Sequence, residues 1–192
     1  MIALTSTISS MSEMEKIDRC ILDIAREGGQ AALEQLYLCT KDAIYGYALS
    51  ILKNTHDAED VLHDCYISIY QTAHSYVSAR KPMAWIFTIT RNLCLSKIRS
   101  RSHFTEVPEE DWEWYLESND QVSPEDRIVL EDCLRSLEDD EREILLLHVL
   151  SGMKHREIAE LLKRPLSTIL SKYHRALKKM RALLEKEDGQ NG

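Results

Sequence analysis

Along most of this chain, apolar side chains return every three or four residues, and no other feature constrains the fold as strongly. Ile17, Ile21, Leu22 and Ile24 open a first helix, and Gly28-Gly29 ends it, as glycine does past a helix terminus. Ala32, Leu33, Leu36 and Tyr37 begin a second helix that continues to about Leu52. Asn54-Thr55 caps a third, with Asp57 and Glu59 in its first turn, running to about Tyr76. Lys81-Pro82 starts a fourth that continues to Arg101, with Pro placed where a first turn tolerates it. Only six Gly and four Pro occur in 192 residues, and 44% are hydrophobic, enough for a buried core. The expected fold class is all-α.

Periodicity fails from Ser102 to Pro124, where Glu109, Glu110, Asp111, Glu113, Glu117 and Asp120 surround Trp112 and Trp114. This stretch reads as an acidic linker, and its roughly 22 residues reach at most ~75 Å when extended. Helical spacing resumes at Asp126 and lasts to Glu187. The expected organisation is a leader over 1–14 and a helical bundle over 15–102. A linker over 103–124 and a second small helical domain over 125–187 complete it.

The net charge of -8 argues against nucleic acid only if charge is evenly spread, and it is not. Residues 80–101 carry six cations and no acid, and residues 142–181 carry ten cations against three acids. Between them, 102–141 carries two cations against fifteen acids. Two basic blocks around an acidic stretch are an interaction pattern, because clustered cations attract phosphate whatever the average.

The clearest motif spans Gly152 to Arg181. Ile158, Ala159, Leu161 and Leu162 mark a short helix, Lys163-Arg164 a turn, and Pro165 the start of another helix. There, Ile169, Tyr173, Ala176, Leu177 and Met180 form an apolar stripe, with Thr168, Ser171, Lys172, Arg175 and Lys179 expected on the opposite side. This is a helix-turn-helix whose second helix suits the major groove.

In the helix from Asp57, a core stripe of Ala58, Val61, Leu62, Cys65 and Ile69 leaves Asp57, Asp60 and Asp64 on another face, with Glu59 beside them. An exposed acidic ridge repels phosphate and calls for a protein partner. In the segment 81–101, Trp85, Ile86, Ile89, Leu93 and Ile98 are expected to pack inward. Arg91, Asn92, Lys97, Arg99 and Arg101 are expected to line a surface for unpaired strand.

The string SGMKHREIAELLKRPLSTILSKYHRALKKMR resembles region 4, the −35 reading domain, of extracytoplasmic-function sigma factors of the sigma-70 family. The strings DAEDVLHDCYISIYQTAHSY and KPMAWIFTITRNLCLSKIRSR are similar to region 2 of the same family. Their order, spacing and acidic linker match from about residue 30 to 184.

The resemblance implies a promoter-specific initiation factor whose partners are core RNA polymerase, through its β and β′ subunits, promoter DNA and an anti-sigma factor. It implies −35 contacts from Arg156, Ser167, Thr168, Leu170, Ser171, Lys172, His174, Arg175 and Lys179. It implies −10 contacts from Thr72, His74, Ser75, Tyr76, Arg80 and Lys81, joining the cations of the fourth helix, with the loop from Thr72 to Arg80 capturing a flipped base. The β′ clamp coiled coil is the implied partner of Asp57, Glu59, Asp60 and Asp64. Two departures stand out: Lys163 occupies a turn position where the family often has Gly, which strains a left-handed residue. Leu170 stands where a polar or basic residue commonly points at DNA.

Two alternatives compete with that reading. A stand-alone helix-turn-helix regulator has no need of the basic block at 81–101. The His56-Asp57 and His63-Asp64 dipeptides suggest a metal-dependent phosphohydrolase, but seven residues separate them by ~10 Å along a helix, too far to share one ion. No phosphate-binding loop or nucleophile motif is present, so no catalytic residue, metal or cofactor is expected. The five cysteines have no ligand spacing and read as small buried hydrophobes in a reducing compartment. No apolar run approaches the ~18 residues of a membrane helix, and Met1 to Ser12 lacks the features of a secretion signal. A cytoplasmic location follows, with Met1, Met11 or Met14 as the start.

Overall fold

In the computed structural model, residues 12–27, 29–78, 81–101 and 132–188 are described, and every regular element among them is helical. Residues 1–11 of the leader, Arg80, the acidic linker and the first residues of the expected second domain, 125–131, lie outside the described residues. Helix α1 (Glu13–Glu27) begins two residues before the expected domain start because Ser12 caps it. The Ser12 amide donates to Glu15 Oε2 at 2.9 Å and the Glu15 amide to Ser12 Oγ at 3.3 Å, a reciprocal capping box. Ile17, Cys20, Ile21 and Ile24 follow at helical spacing, and all four are buried.

Helix α2 (Gln30–Leu52) is buried nearly all round in its second half, where Ile44, Tyr47, Ala48 and Leu49 are fully enclosed. Its surface-facing first half carries Tyr37 and Leu38. Lys53 ends it in the left-handed conformation (φ 52°, ψ 34°), its N–H bonded to Leu49 O at 2.8 Å. Asn54 then caps α3 (Thr55–Thr72) by accepting from the Asp57 amide at 2.9 Å. A single 3₁₀ turn (Ala73–Ser75) leads toward α4 (Pro82–Arg101). Two buried polar contacts stitch these helices: Thr40 and Tyr66 hydroxyls lie 2.8 Å apart, and Cys65 Sγ lies 3.3 Å from Thr90 Oγ1. Each closes a polar group that burial alone would penalise.

Residues 132–136 are helical, as the spacing from Asp126 predicts, and lead into α5 (Asp139–Ser151). Arg142 is fully buried where the two meet. Its guanidinium donates to Leu134 O at 2.9 Å and Leu137 O at 3.1 Å, satisfying carbonyls at the end of the preceding turn. Gly152 (φ 66°) stops α5, and α6 (His155–Leu162) and α7 (Leu166–Asp188) follow. Helix α5 packs on α7, α2 and α4, so one hydrophobic cluster runs from Ile21 and Phe87 to Ile144, Ile158 and Ile169. A smaller cluster of Leu137, Leu145 and Ala176 fastens α7 to α5.

Candidate nucleic-acid interface

The expected helix-turn-helix is present as α6, a turn and α7. Lys163 is left-handed (φ 53°, ψ 44°), as a turn without glycine at this place requires. Its N–H bonds to Glu160 O, and the Arg164 N–H bonds to Ala159 O at 3.0 Å. These paired bonds form the terminal motif that usually recruits glycine. Pro165 O then accepts from the Thr168 and Ile169 amides, which starts α7.

Helix α7 buries Ile169 and Ala176 and half-buries Tyr173 and Met180, as the stripe predicts, but leaves Leu177 41% exposed. Its polar side differs from the expectation. Lys172 stands three residues after Ile169 and four before Ala176, so it flanks the buried stripe instead of opposing it. Its ammonium lies 3.1 Å from Asp140 and 3.5 Å from Glu138. Lys179 is placed alike and bonds Glu141 at 2.7 Å, and Arg175 approaches the same carboxylate at 3.6 Å. Thr168 and Leu170 are half-buried. The outward arc is instead Ser167, Ser171, His174, Lys178 and Arg181, all exposed at steps of three and four. Lys178 and Arg181 were missed because the stripe was centred too far from Ile169 and Ala176. Arg156, on α6, is exposed with Glu160 4.0 Å away.

The first turn of α5 forms an acidic brace behind that arc. Burial works to raise the Glu141 carboxyl, but Lys179, the Glu138 amide and Arg175 outweigh it and hold it below the ordinary glutamate range. Burial likewise opposes Arg164 and Lys172 at Asp140, and the cations win, leaving that carboxyl lowered. Beside the turn, His148 and His155 stack at 4.6 Å, and Tyr173 meets the His155 ring at 4.5 Å.

On α4, Ile86 and Phe87 are buried and Trp85, Ile89 and Leu93 half-buried, whereas Ile98 is 42% exposed and does not pack inward. Asn92 and Arg99 are exposed. Three expected strand-binding cations are engaged by carboxylates. Arg91 Nε bonds Glu143 at 2.9 Å, Lys81 bonds Glu157 at 2.6 Å, and Lys97 bonds Asp60 at 2.5 Å and approaches Asp57 at 3.5 Å. Arg101 lies in α4, at its last residue.

The expected loop begins instead as the end of α3, at Thr72, and the 3₁₀ turn, with His74 and Ser75; all three side chains are exposed, as a base-contacting segment needs. Tyr76 is not. Its ring is buried against Trp85 at 5.0 Å, and its hydroxyl donates to Asp18 Oδ1 of α1. Ser78 donates to the other Asp18 oxygen at 2.7 Å.

The acidic ridge is also narrower than expected. Asp57 is buried, because it precedes Val61 and Cys65 by four and eight residues and so shares their stripe. Glu59 and Asp64 are exposed, and Asp60 is half-buried under Lys97, whose hydrogen bond holds the Asp60 carboxyl below the usual aspartate range. The HD dipeptides place His56 and His63 on the surface. Among the described residues, no cluster of three or more His, Cys, Asp or Glu side chains is placed to hold a metal ion. Of the cysteines, Cys20, Cys65, Cys94 and Cys133 are buried as expected, and Cys39 is exposed. No described helix is long and apolar enough to cross a membrane.

Residues 36–104 match the family model of sigma-70 region 2, and residues 127–180 match that of sigma-70 region 4. The extracytoplasmic-function sigma factor SigW of Bacillus subtilis is 25% identical over 193 residues, covering 89% of this chain and 98% of the relative. SigK of Mycobacterium tuberculosis H37Rv is 25% identical over 167 residues, covering 81% of this chain and 87% of the relative. Among solved structures, RpoE bound to the anti-sigma factor NepR from Bartonella quintana aligns with a TM-score of 0.59 at 24% identity, over 79% of this chain and 96% of that one. CnrH bound to the cytosolic domain of CnrY aligns at 0.56 and 24% identity, over 88% and 98%. The two region models, in this order and on these helices, show that the chain belongs to the sigma-70 family, as an extracytoplasmic-function sigma factor.

Proposed function

We propose that this sigma factor binds core RNA polymerase and directs promoter-specific initiation, reading the −35 element with α7 and the −10 element with α4 and the loop before it. The observation that carries the reading is the pairing of two units in one chain. One presents a helix-turn-helix with an exposed polar and cationic arc, and the other a helix rich in cations with no acid. The −35 duplex is read by Ser167, Ser171, His174, Arg175, Lys178 and Arg181, with Arg156 reaching phosphate from α6. The −10 strand is held by Thr72, His74, Ser75, Asn92 and Arg99, joined by Lys81 and Arg91 when these leave their carboxylate partners. Glu59, Asp60 and Asp64 form the polymerase-facing acids. Asp57 and Tyr76 act as supports.

The division of the chain into an N-terminal −10 unit over 15–102 and a C-terminal −35 unit over 125–187, joined by 103–124, belongs to the same reading. So do a cytoplasmic location, restraint by an anti-sigma factor and the absence of any catalytic step or cofactor. The test is co-purification with core polymerase followed by run-off transcription from a promoter that the chain activates. Core binding with a discrete transcript is expected. Tight operator binding by the chain alone, without core binding, refutes the reading in favour of a stand-alone regulator.

A further inference from the structure

We propose that the stacked imidazoles of His148 and His155, clasped by Tyr173, form an acid-sensitive joint that holds the helix-turn-helix in its reading shape, so that acid loosens the −35 unit while the −10 unit stays folded. The proposal rests on the sigma-factor reading above. His148 stands in the last turn of α5, and His155 is the first residue of α6. Their rings stack at 4.6 Å with 22° between the planes, and Tyr173 of α7 meets them at steep angles, 5.0 and 4.5 Å away. One aromatic cluster therefore ties together α5, α6 and α7. His148 Nδ1 lies 2.8 Å from Met153 O, and a carbonyl only accepts, so that nitrogen carries the hydrogen. His155 Nε2 is buried and meets no hydrogen-bond partner among the described residues.

This arrangement penalises charge. A proton on His155 Nε2 makes a buried donor without an acceptor, and a second imidazolium in the stack faces the first. The groups around His155 do not compensate. His148 faces it from α5, Tyr173 and His174 from α7, and Lys154 and Arg156 flank it along the chain; none of these is an acid. Glu157 of α6 is engaged elsewhere, by Lys81 of α4 at 2.6 Å and by the Lys154 amide at 2.7 Å. Burial, then His148 and His174, accordingly hold the His155 imidazole below the ordinary histidine range. The closed joint thus binds fewer protons in mild acid than the open one. Each proton withheld favours opening by up to about tenfold per pH unit, from about pH 6.5 down toward the lower folded value. Ile158 and Ala159 of α6 are buried in the main hydrophobic cluster, so apolar contact seats α6 near neutrality and acid biases that seat. The described histidines of the −10 unit, His56, His63 and His74, are all exposed.

Hydrogen–deuterium exchange of the full chain at about pH 7.5 and about pH 5.5, with rates corrected for intrinsic exchange, tests the joint. In acid the amides of α6 are expected to lose several-fold of their protection, up to about tenfold, while those of α3 keep theirs. His155→Phe, which keeps a ring in the stack and removes the proton, is expected to hold α6 protection constant. His56→Gln, at an exposed histidine of the other unit, is expected to respond as the parent does. An α6 that does not respond, an equal response in α3, or a response that survives in His155→Phe overturns the proposal. If His155→Phe does not fold, imidazole proton NMR of the unaltered chain decides. A His155 midpoint below the ordinary value of about 6.5 is expected, and one at or above it overturns the joint. Holoenzyme binding to a promoter that the chain activates, with its −35 element intact or scrambled, reads the consequence. The advantage of the intact element is expected to fall several-fold over the same pH range. Acid also charges exposed imidazoles, which attract phosphate, so a rise in that advantage marks simple charge gain and overturns the joint. Run-off transcription near neutral pH separates the two readings. A transcript together with an unresponsive α6 sinks the joint alone, whereas no transcript sinks the sigma-factor function and leaves exchange in α6 to decide the joint by itself.

Discussion

Arg142→Met is expected to destabilise the fold by about 1–3 kcal/mol, chiefly through one orphaned carbonyl, Leu137 O. The guanidinium is 2% exposed and donates to Leu134 O and Leu137 O, both on buried residues, and to Asp139 at 3.3 Å. Asp139 is 68% exposed, so that bond adds little. Leu134 O keeps the Leu137 amide at 3.3 Å, so the orphan is Leu137 O, at roughly 1–3 kcal/mol. Methionine fills the same apolar volume and removes the need to dehydrate a cation, which returns part of the loss. For a chain of this length the net change lowers Tm by about 2–12 °C, at ~2–4 °C per kcal/mol. Far-UV circular dichroism melts and urea titration of both proteins measure it. A variant within about 0.5 kcal/mol of the parent refutes the reasoning, because it means water replaces the guanidinium at no penalty.

Three further outcomes follow from the geometry. Lys178→Ala/Arg181→Ala in holoenzyme is expected to flatten the salt dependence of binding to a −35-bearing promoter by about one to two in slope. Lys172→Ala should change it less, since that ammonium already sits on Asp140, and the reverse ranking refutes the outward arc. Lys163→Gly relieves a left-handed residue and is expected to stabilise the chain by about 0.5–1 kcal/mol, read as a higher urea midpoint. Loss of stability there refutes the strain. Burial, then His148 and His174, lower the His155 pKa, so the unfolded chain takes up this proton first. Stability from His155 is full above about pH 6.5 and drains as pH falls from there through the lower folded pKa. His155→Phe should flatten the stability profile across that window, and an unchanged slope refutes it.

The helices were legible because each pairs a stripe with a stop: Ile17, Ile21 and Ile24 before Gly28-Gly29, and Ile144 and Leu147 before Gly152. The left-handed turn at Lys163 was legible too, since a short helix, a turn and a proline leave few other ways to reverse the chain. Residues on the shoulder of a stripe were not. Asp57 and Lys172 both stand three or four residues from core positions, where a charged side chain folds inward if a partner waits on the neighbouring helix. Lys97 and Asp140 are those partners, and no local pattern announces them. The pair of Arg91 and Glu143 was illegible for the same reason on a larger scale, because it joins residues that the linker separates in sequence.

Asp18 takes the hydroxyls of both Tyr76 and Ser78, yet α1 lies outside the residues that match the region 2 family model. A helix with no proposed contact to promoter or polymerase therefore anchors the segment that leads to the proposed −10 surface. On the proposed reading, drift in α1 has a route to alter which base that segment accepts while every nucleic-acid contact stays the same. Paralogues that share the whole reading surface can then diverge in promoter choice from a single aspartate well away from it.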